Sequence, residues 1–153
     1  MDIEANKQIN MNDIENFEVG YSLSLPEDYK QFLLKYNGGE PNKYLFKDKK
    51  LGTLVLNVFY GINIEDSYDE LNNVIKTYKG RIHSSFIPIG DDPGGNQFVL
   101  GIKGKFKDKV YFWDHNTELE NDEFSENVLP GNMYLLANSF DEFIGKLEED
   151  SEA

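Results

Sequence analysis

Residues 24–39, SLPEDYKQFLLKYNGG, contain the clearest helix pattern in the chain. Large apolar side chains recur there at positions i, i+3, i+4 and i+7, namely Tyr29, Phe32, Leu33 and Tyr36. Because this spacing matches the turn of an α-helix, all of them would lie on one face. We therefore predict an amphipathic helix whose aromatic face belongs to the core.

The two ends of this helix carry separate signals. Pro26 suits the first helical position and would make Leu25 the N-cap, whereas Ser24 and Glu27 have the spacing of a capping box. These two signals place the helix start one residue apart. The tripeptide Asn37-Gly38-Gly39 predicts the helix end, because glycine readily adopts the left-handed conformation that closes a helix.

Three further segments show helical spacing of apolar residues. Their predicted ranges are about 12–17, ending near Gly20, about 68–78, and about 140–147. The pairs Ser67/Glu70 and Ser139/Glu142 have the spacing of capping boxes, so they predict the starts of the second and third of these helices.

The apolar, β-rich segments between the helices predict strands. Their ranges are 54–60, 86–89, 97–102, 110–113 and 133–137. The glycine-rich segment 90–96 and the lysine-rich segment 103–109 have the composition of turns that join neighbouring strands. Strands joined by short turns pair antiparallel. We therefore predict a single α+β domain, with a mainly antiparallel sheet flanked by helices.

The charge balance is the strongest global property of the sequence. Asp and Glu total 28 residues against 15 Lys and Arg, which gives a net charge of −13. Such a charge repels nucleic acid and anionic lipid and favours encounters with basic proteins. Arg81 is the single arginine, so the paired guanidinium clamps that hold phosphate groups are missing. An acidic surface that merely keeps the protein in solution would have the same composition.

Several other function classes are disfavoured by composition. The sequence has no Cys, which excludes disulfides, thiolate metal sites and cysteine nucleophiles. Residues 1–10 are polar where a signal peptide would be apolar, and no window is apolar enough for a membrane span. We expect a cytoplasmic protein with one domain over residues 1–153 and a core over about 12–147. Residues 1–10 and 148–153 are expected to be flexible.

Three segments together resemble the SUKH superfamily. Residues 25–39 resemble its LP-x-x-Y-x-x-F-L … N-G helix, residues 87–96 (IPIGDDPGGN) its central strand, glycine turn and strand, and residues 137–144 (ANSFDEFI) its closing A-x-S-F-x-E-F-[LI] helix. The three matches occur in the order of the family and spread over roughly residues 14–147.

The resemblance implies both a fold and a role. The superfamily includes fungal cell-wall regulators of the Smi/Knr type and many bacterial immunity proteins, and its fold is a sheet flanked by helices. The resemblance therefore implies a bacterial immunity protein that binds and neutralises a cognate toxin, often a nuclease. Because members differ in their partners, the resemblance does not identify the toxin.

The distribution of charge suggests where a partner would bind. Residues 110–145 contain no Lys or Arg, and most of their acidic residues follow the predicted strand 110–113 in what we expect to be a loop. An inhibitor of a basic nuclease gains association rate by presenting carboxylates in place of phosphates. Including the acidic turn that the resemblance places near the end of the sheet, the predicted contact residues are Asp91, Asp92, Asp114, Glu118, Glu120, Asp122 and Glu123. A solvated acidic loop without a partner is the alternative.

Candidate catalytic groups are few. Asp91 and Asp92 could be an acid–base or metal-binding pair, but the EF-hand spacing is absent, and Asp in a Pro-Gly turn commonly binds its own backbone. His83 and His115 lack the spacing of a zinc site. In the segment His83-Ser84-Ser85 neighbouring side chains would point to opposite faces, and no nucleophile elbow is present. We predict no metal and no cofactor.

The remaining patterns favour structural roles. Segment 90–95 lacks the spacing of nucleotide-binding glycine loops. The alternating lysines of segment 103–109 are typical of hairpins that block strand-to-strand aggregation, and nucleic-acid binding is disfavoured by the net charge. Among the consecutive aromatic residues Tyr111, Phe112 and Trp113, we predict Tyr111 and Trp113 in the core and leave Phe112 open.

Three functional hypotheses follow. The first is an immunity protein that occludes a toxin with a basic surface, stoichiometrically and without turnover. The second is a regulatory or scaffold module that binds a protein other than a toxin. The third is an enzyme that uses Asp91, Asp92 or His115, which we consider the weakest because no reactive group is assembled in the sequence.

Overall fold

The protein is described by a computed structural model that covers residues 1–117 and 128–151. Within this part of the chain the helices are α1 (Met11–Tyr21), α2 (Glu27–Lys35), α3 (Leu71–Thr77) and α4 (Phe140–Gly145). The strands are β1 (Ile3–Ala5), β2 (Gly39–Pro41), β3 (Leu45–Asp48), β4 (Gly52–Val55), β5 (Val58–Phe59), β6 (Phe86–Asp91), β7 (Gln97–Gly101), β8 (Val110–Trp113), β9 (Met133–Ala137) and β10 (Leu147–Glu148). None of these helices combines the length and the apolarity that crossing a bilayer demands.

The strands form two sheets. The larger sheet has the order β1-β2-β5-β6-β7-β8-β9, and the smaller one has the order β10-β3-β4. Neighbouring strands run antiparallel in both sheets. Helices α2 and α4 contact each other, and α4 also packs beside β9. The predicted α+β fold with a mainly antiparallel sheet is therefore confirmed.

Strands β7 and β8 are buried on both faces of the larger sheet. Phe98 is paired with Phe112, and both belong to the main core. Val99 is paired with Tyr111, and both belong to a second apolar cluster. Because successive side chains of a strand point to opposite faces, the two clusters must lie on opposite sides of the sheet.

Aromatic rings dominate the main core. Phe32 of α2 lies 4.8 Å from Phe59 and 4.9 Å from Phe140, measured between ring centroids in edge-to-face geometry. Phe143 of α4 lies 5.3 Å from Phe46 and so joins the smaller sheet to the helices. This packing explains the aromatic face that the spacing in residues 24–39 predicts.

The second core contains Tyr111 and Trp113, as predicted from the sequence. Tyr78, at the C-terminal end of α3, packs edge-on against Trp113 with ring centroids 5.6 Å apart. Phe86 and Phe106 cover Tyr111 from the other end of the same face. Phe112, which the sequence left open, lies in the main core.

Asn37 joins three separate parts of the chain. Its buried amide donates to the backbone carbonyl oxygens of Lys7 and Ile62, at 2.9 and 2.8 Å, and accepts a hydrogen bond from the backbone N–H of Ile62. Asn37 has a φ of 50°, and the next residue, Gly38, has a φ of 82°. A Cβ on Gly38 would lie 2.4 Å from the carbonyl oxygen of Tyr60, so glycine is required at this crossing.

Two helices start at different residues from those that the sequence predicts. Helix α2 begins at Glu27, and its N-cap is Pro26, which has no side-chain hydrogen bond to offer. The prediction that Ser24 or Leu25 caps α2 is therefore wrong. Helix α3 begins at Leu71, because the carboxylate of Glu70, not Ser67, accepts the capping hydrogen bond. In contrast, Ser139 caps α4 through the N–H of Glu142, as predicted.

The apolar run 54–60 forms two strands in different sheets. The backbone N–H of Leu56 donates to the carbonyl oxygen of Tyr44, which directly precedes β3 of the smaller sheet. The backbone N–H of the next residue, Asn57, donates to the carbonyl oxygen of Asp91 in the larger sheet. The chain thus crosses between sheets at these two residues. Hydrophobicity alone predicted one strand here, because both halves of the run are equally apolar.

Both ends of the described chain contain paired strands. Residues 1–10, where we expected flexibility, include β1, which pairs with β2, and Asn6, whose backbone N–H donates to Tyr36. Near the other end, β10 pairs with β3, and the Tyr44 hydroxyl donates to Asp150 at 3.0 Å.

Truncation of the central aromatic rings tests the main core. We expect Phe32→Ala and Phe143→Ala each to lower the free energy of unfolding by about 3–5 kcal/mol, because each leaves a cavity among rigid neighbours. Urea unfolding measures the difference. Val19→Ala is the control, since Val19 is 79% exposed and its truncation should change stability by less than about 0.5 kcal/mol. Transitions that coincide with wild type for both Phe variants would contradict this core.

Candidate functional site

The strand order brings the predicted acidic residues Asp91, Asp92 and Asp114 to one edge of the larger sheet. Strands β6 and β8 both run antiparallel to β7, so their C-terminal ends lie on the same side of the sheet. Asp91 is paired with Gln97, and Gln97 is paired with Trp113, which directly precedes Asp114. We call Asp91, Asp92 and Asp114 the acidic edge.

Asp92 stabilises the turn that follows β6. Its Oδ1 accepts hydrogen bonds from the backbone N–H groups of Gly94 and Asn96, at 2.9 and 2.8 Å. Its Oδ2 accepts from the Asn96 side chain at 2.9 Å. The interpretation as a turn closed by its own aspartate is therefore confirmed for residues 92–96, where the Asp92 carboxylate remains partly exposed, whereas Gly90 and Asp91 belong to β6.

The neighbouring turn, which begins at Asp114, is fastened to the first one. The Asp114 carboxylate accepts from the backbone N–H of Asn116 at 2.8 Å. The backbone N–H of His115 donates to the Asn96 side chain at 3.0 Å, and His115 Nε2 lies 2.7 Å from the Gly94 carbonyl oxygen. His115 thus holds the two turns together. The imidazole of His115 therefore has a structural role, because it is hydrogen-bonded to the Gly94 carbonyl oxygen.

Asp91 differs from the other two members of the acidic edge, because its carboxylate is half-buried and weakly partnered. One side chain, Asn57, donates to it at 3.2 Å. Burial, together with the nearby carboxylates of Asp69 and Asp92, raises the pKa of Asp91 to about 6, although the hydrogen bond from Asn57 acts in the opposite direction. The folded protein therefore holds an ionised Asp91 at neutral pH at a cost in stability.

The acidic surface extends beyond the residues that sequence analysis identified. Asp69, in the loop before α3, has a pKa raised by burial and by the carboxylates of Asp66 and Glu40. Glu40 is far from Asp69 and Asp91 along the chain, and the pairing of β2 with β5 and of β5 with β6 brings their segments together. No local sequence pattern could have shown that Asp69 lies near Asp91.

The other predicted contact residues lie outside the described residues. These are Glu118, Glu120, Asp122 and Glu123. The flanking residue Thr117 follows directly from the turn at Asp114. The role of these four acidic residues in partner binding stays a prediction.

A hydrogen-bonded network of three side chains lies next to the acidic edge, because one of its members, Gln97, is paired with Asp91. The Tyr60 hydroxyl donates to Gln97 Oε1 at 2.6 Å, and Gln97 Nε2 donates to the Tyr78 hydroxyl at 3.0 Å. The guanidinium of Arg81 lies over the rings of Tyr78 and Trp113, at 4.9 and 5.5 Å from their centroids. Because polar side chains with satisfied hydrogen bonds are held rigidly, this network of Tyr60, Gln97 and Tyr78 fixes the acidic edge in one geometry.

The lysine-rich hairpin lies at the opposite end of β7 and β8 from the acidic edge. Phe106 of this hairpin is buried, while Lys103, Lys105 and Lys107 are exposed. His83 is also at this end, because it precedes the start of β6. The structure therefore does not bring His83 and His115 together. Over residues 1–117 and 128–151, no three His, Cys, Asp or Glu side chains are arranged to hold a metal ion.

Replacing Asp91 by Asn tests the electrostatic penalty at the edge. Since the folded pKa of about 6 lies above the ordinary value of 3.8, the penalty is fully present above pH 6 and disappears as the pH falls towards 4. We expect Asp91→Asn to stabilise the fold at pH 7.5 by about 1 kcal/mol, because solvent screens part of the effect at a half-buried group.

The measurement is thermal unfolding of both proteins at pH 7.5 and pH 4. The stabilisation should be smaller at pH 4, where wild-type Asp91 is largely protonated. Asp108→Asn, which neutralises an exposed carboxylate at the lysine hairpin, controls for the change in net charge. An equal effect of Asp91→Asn at both pH values would contradict the shifted titration.

Comparison with known proteins agrees with this architecture. The sequence profile of the SMI1 / KNR4 family (SUKH-1) matches residues 8–146. The chain is also 31% identical over 161 residues to the SPbeta prophage-derived uncharacterized protein YokK of Bacillus subtilis (strain 168), an alignment that covers 93% of this chain and 77% of that protein. The resemblance to the SUKH superfamily is confirmed, and the chain belongs to the SMI1 / KNR4 (SUKH-1) family.

Proposed function

We propose that this protein is an immunity protein that binds a cognate toxin with a basic surface and neutralises it by stoichiometric contact, without turnover. The observation that carries the proposal is the acidic edge, where antiparallel pairing collects Asp91, Asp92 and Asp114. The family is compatible with such a role. The cytoplasm is the compartment in which we propose that it acts.

The charge of the whole chain supports a basic partner. With a net charge of −13, long-range attraction accelerates the approach of a cationic protein and opposes that of nucleic acid. A toxin that cleaves nucleic acid must hold phosphates with a cationic surface. Carboxylates on a rigid edge would occupy that surface, so a nuclease is the toxin class that fits best.

The energetics of Asp91 point in the same direction. A half-buried carboxylate beside Asp69 and Asp92 destabilises the fold at neutral pH, as its raised pKa of about 6 indicates. An asparagine would avoid the penalty. Residues that reduce stability are commonly retained at functional sites, because the binding of a partner relieves the penalty. A cationic side chain of the toxin would provide that relief.

Co-expression with the toxin tests the function itself. The candidate toxin is the product of the gene adjacent to the gene for this chain. We expect the protein to restore growth to cells that express this toxin and to form a complex of fixed stoichiometry with it. Binding without protection would favour a regulatory or scaffold module, and the absence of both would refute the proposal.

Reversing charges tests the contact surface. The test variant combines Glu118→Lys, Glu120→Lys, Asp122→Lys and Glu123→Lys. We expect it to associate with the toxin about tenfold or more slowly at low salt, while its dissociation rate changes less. Stopped-flow fluorescence measures both rates.

The matched control reverses four exposed carboxylates on or beside the helices and the C-terminal strand. These are Glu15, Glu27, Asp141 and Glu149. Both variants have the same net charge, so a difference between them reports where the toxin binds and not the total charge. Equal association rates for the two variants would show that Glu118, Glu120, Asp122 and Glu123 are not part of the contact surface.

A further inference from the structure

Tyr68 is the most exposed large apolar side chain in the part of the chain that the structure describes. It is 89% exposed and lies in the loop that joins β5 to α3. In contrast, Tyr29, Tyr60 and Tyr111 are buried. Leaving an aromatic ring in water forgoes about 2 kcal/mol of burial free energy. The Tyr68 ring therefore contributes little to the stability of the folded protein and is available to contact a partner.

The backbone on both sides of Tyr68 is held in place. Its own N–H donates to Asp66 Oδ1 at 2.9 Å. The carbonyl oxygen of Ser67 accepts from the Asn73 side chain at 3.2 Å, and that of Asp69 accepts from the backbone N–H of Gly61 at 3.1 Å. The ring is therefore presented from a fixed position, so little backbone entropy would be lost on binding.

Glu70 fastens this loop to α3. It is a buried residue, and its carboxylate accepts from the backbone N–H groups of Asn63 and Asn73, at 2.9 and 3.0 Å. A third hydrogen bond comes from the Asn72 side chain at 2.9 Å. One buried carboxylate thus joins the start of the loop to the first turn of the helix. This explains why the helix begins after Glu70.

The surroundings of Tyr68 are negatively charged. Residues 61–75 contain no Lys or Arg, and Asp66 and Asp69 lie on either side of the ring in sequence. The Asp69 carboxylate also raises the pKa of Asp91, so it lies within electrostatic range of the acidic edge. Asp69, the neighbour of Tyr68 in sequence, therefore lies near Asp91 of the acidic edge.

We propose that Tyr68 is the aromatic anchor of the partner interface and receives an arginine or lysine side chain of the basic partner on the face of its ring. An aromatic ring attracts a cation through its negative face, and Asp66 and Asp69 add charge complementarity beside it. Tyrosine is enriched among the residues that dominate binding energy, and it has few rotatable bonds to immobilise. This inference rests on the proposed function, which supplies the basic partner.

Calorimetric titration with the product of the adjacent gene measures the role of the ring. We expect Tyr68→Ala to weaken binding by about 30-fold or more. Tyr68→Phe should stay within about threefold of wild type, because the ring is kept. Val19→Ala, at an exposed site on α1, should bind like wild type. Since Tyr68 is exposed, each variant should melt at the wild-type temperature.

A second measurement tests the role of Tyr68 without the toxin, so its result does not depend on which toxin the protein binds. Tetra-arginine amide is titrated into the isotopically labelled protein at low salt, and amide chemical shifts are followed by NMR. Shifts that centre on residues 66–69 and weaken in Tyr68→Ala support the anchor, even if the adjacent gene product does not bind and the immunity function fails. Shifts centred elsewhere, or wild-type toxin binding by Tyr68→Ala, overturn the anchor while leaving the immunity function in place.

Discussion

Burial of the central strands on both faces is the constraint on which this structure depends. Phe98 and Phe112 fill the main core, while Val99, Tyr111 and Trp113 fill the second one on the other side of the sheet. With both faces covered, the register of β7 and β8 cannot slip by one residue without reversing these side chains. The positions of Asp91 and Asp114 at the strand ends are therefore as fixed as the core itself.

Much of the fold could be predicted because its signals are local. The bounds of β8 and the Ser139 cap follow from a few adjacent residues. The crossing between sheets at Leu56 and Asn57 could not be predicted, because it depends on hydrogen bonds to Tyr44 and Asp91 from distant segments. The start of α3 was placed too early because Glu70, a less common cap than Ser67, makes the decisive hydrogen bond.

In the candidate site too, some features could be predicted from the sequence and others could not. The charge distribution indicated Asp114, the family resemblance indicated the turn that contains Asp91 and Asp92, and the strand order explains why they lie at the same end of the sheet. The sequence did not show that Asp92 stabilises a turn while Asp91 carries an electrostatic penalty, because that difference comes from burial and neighbours. Nor could it show that Asp69, next to Tyr68 in sequence, lies close enough to Asp91 to raise its pKa, because the pairing of β5 with β6 brings these distant segments together.

A rigid carboxylate surface on a protein with a net charge of −13 should act mainly by attracting a cationic partner over distance. The most direct test is the association rate constant with the candidate toxin as a function of ionic strength. It should fall by about tenfold or more between 20 mM and 500 mM salt, while the dissociation rate changes little. An association rate that is independent of salt, or catalytic turnover of a small substrate by the purified protein alone, would contradict the proposal that this protein acts by electrostatic contact.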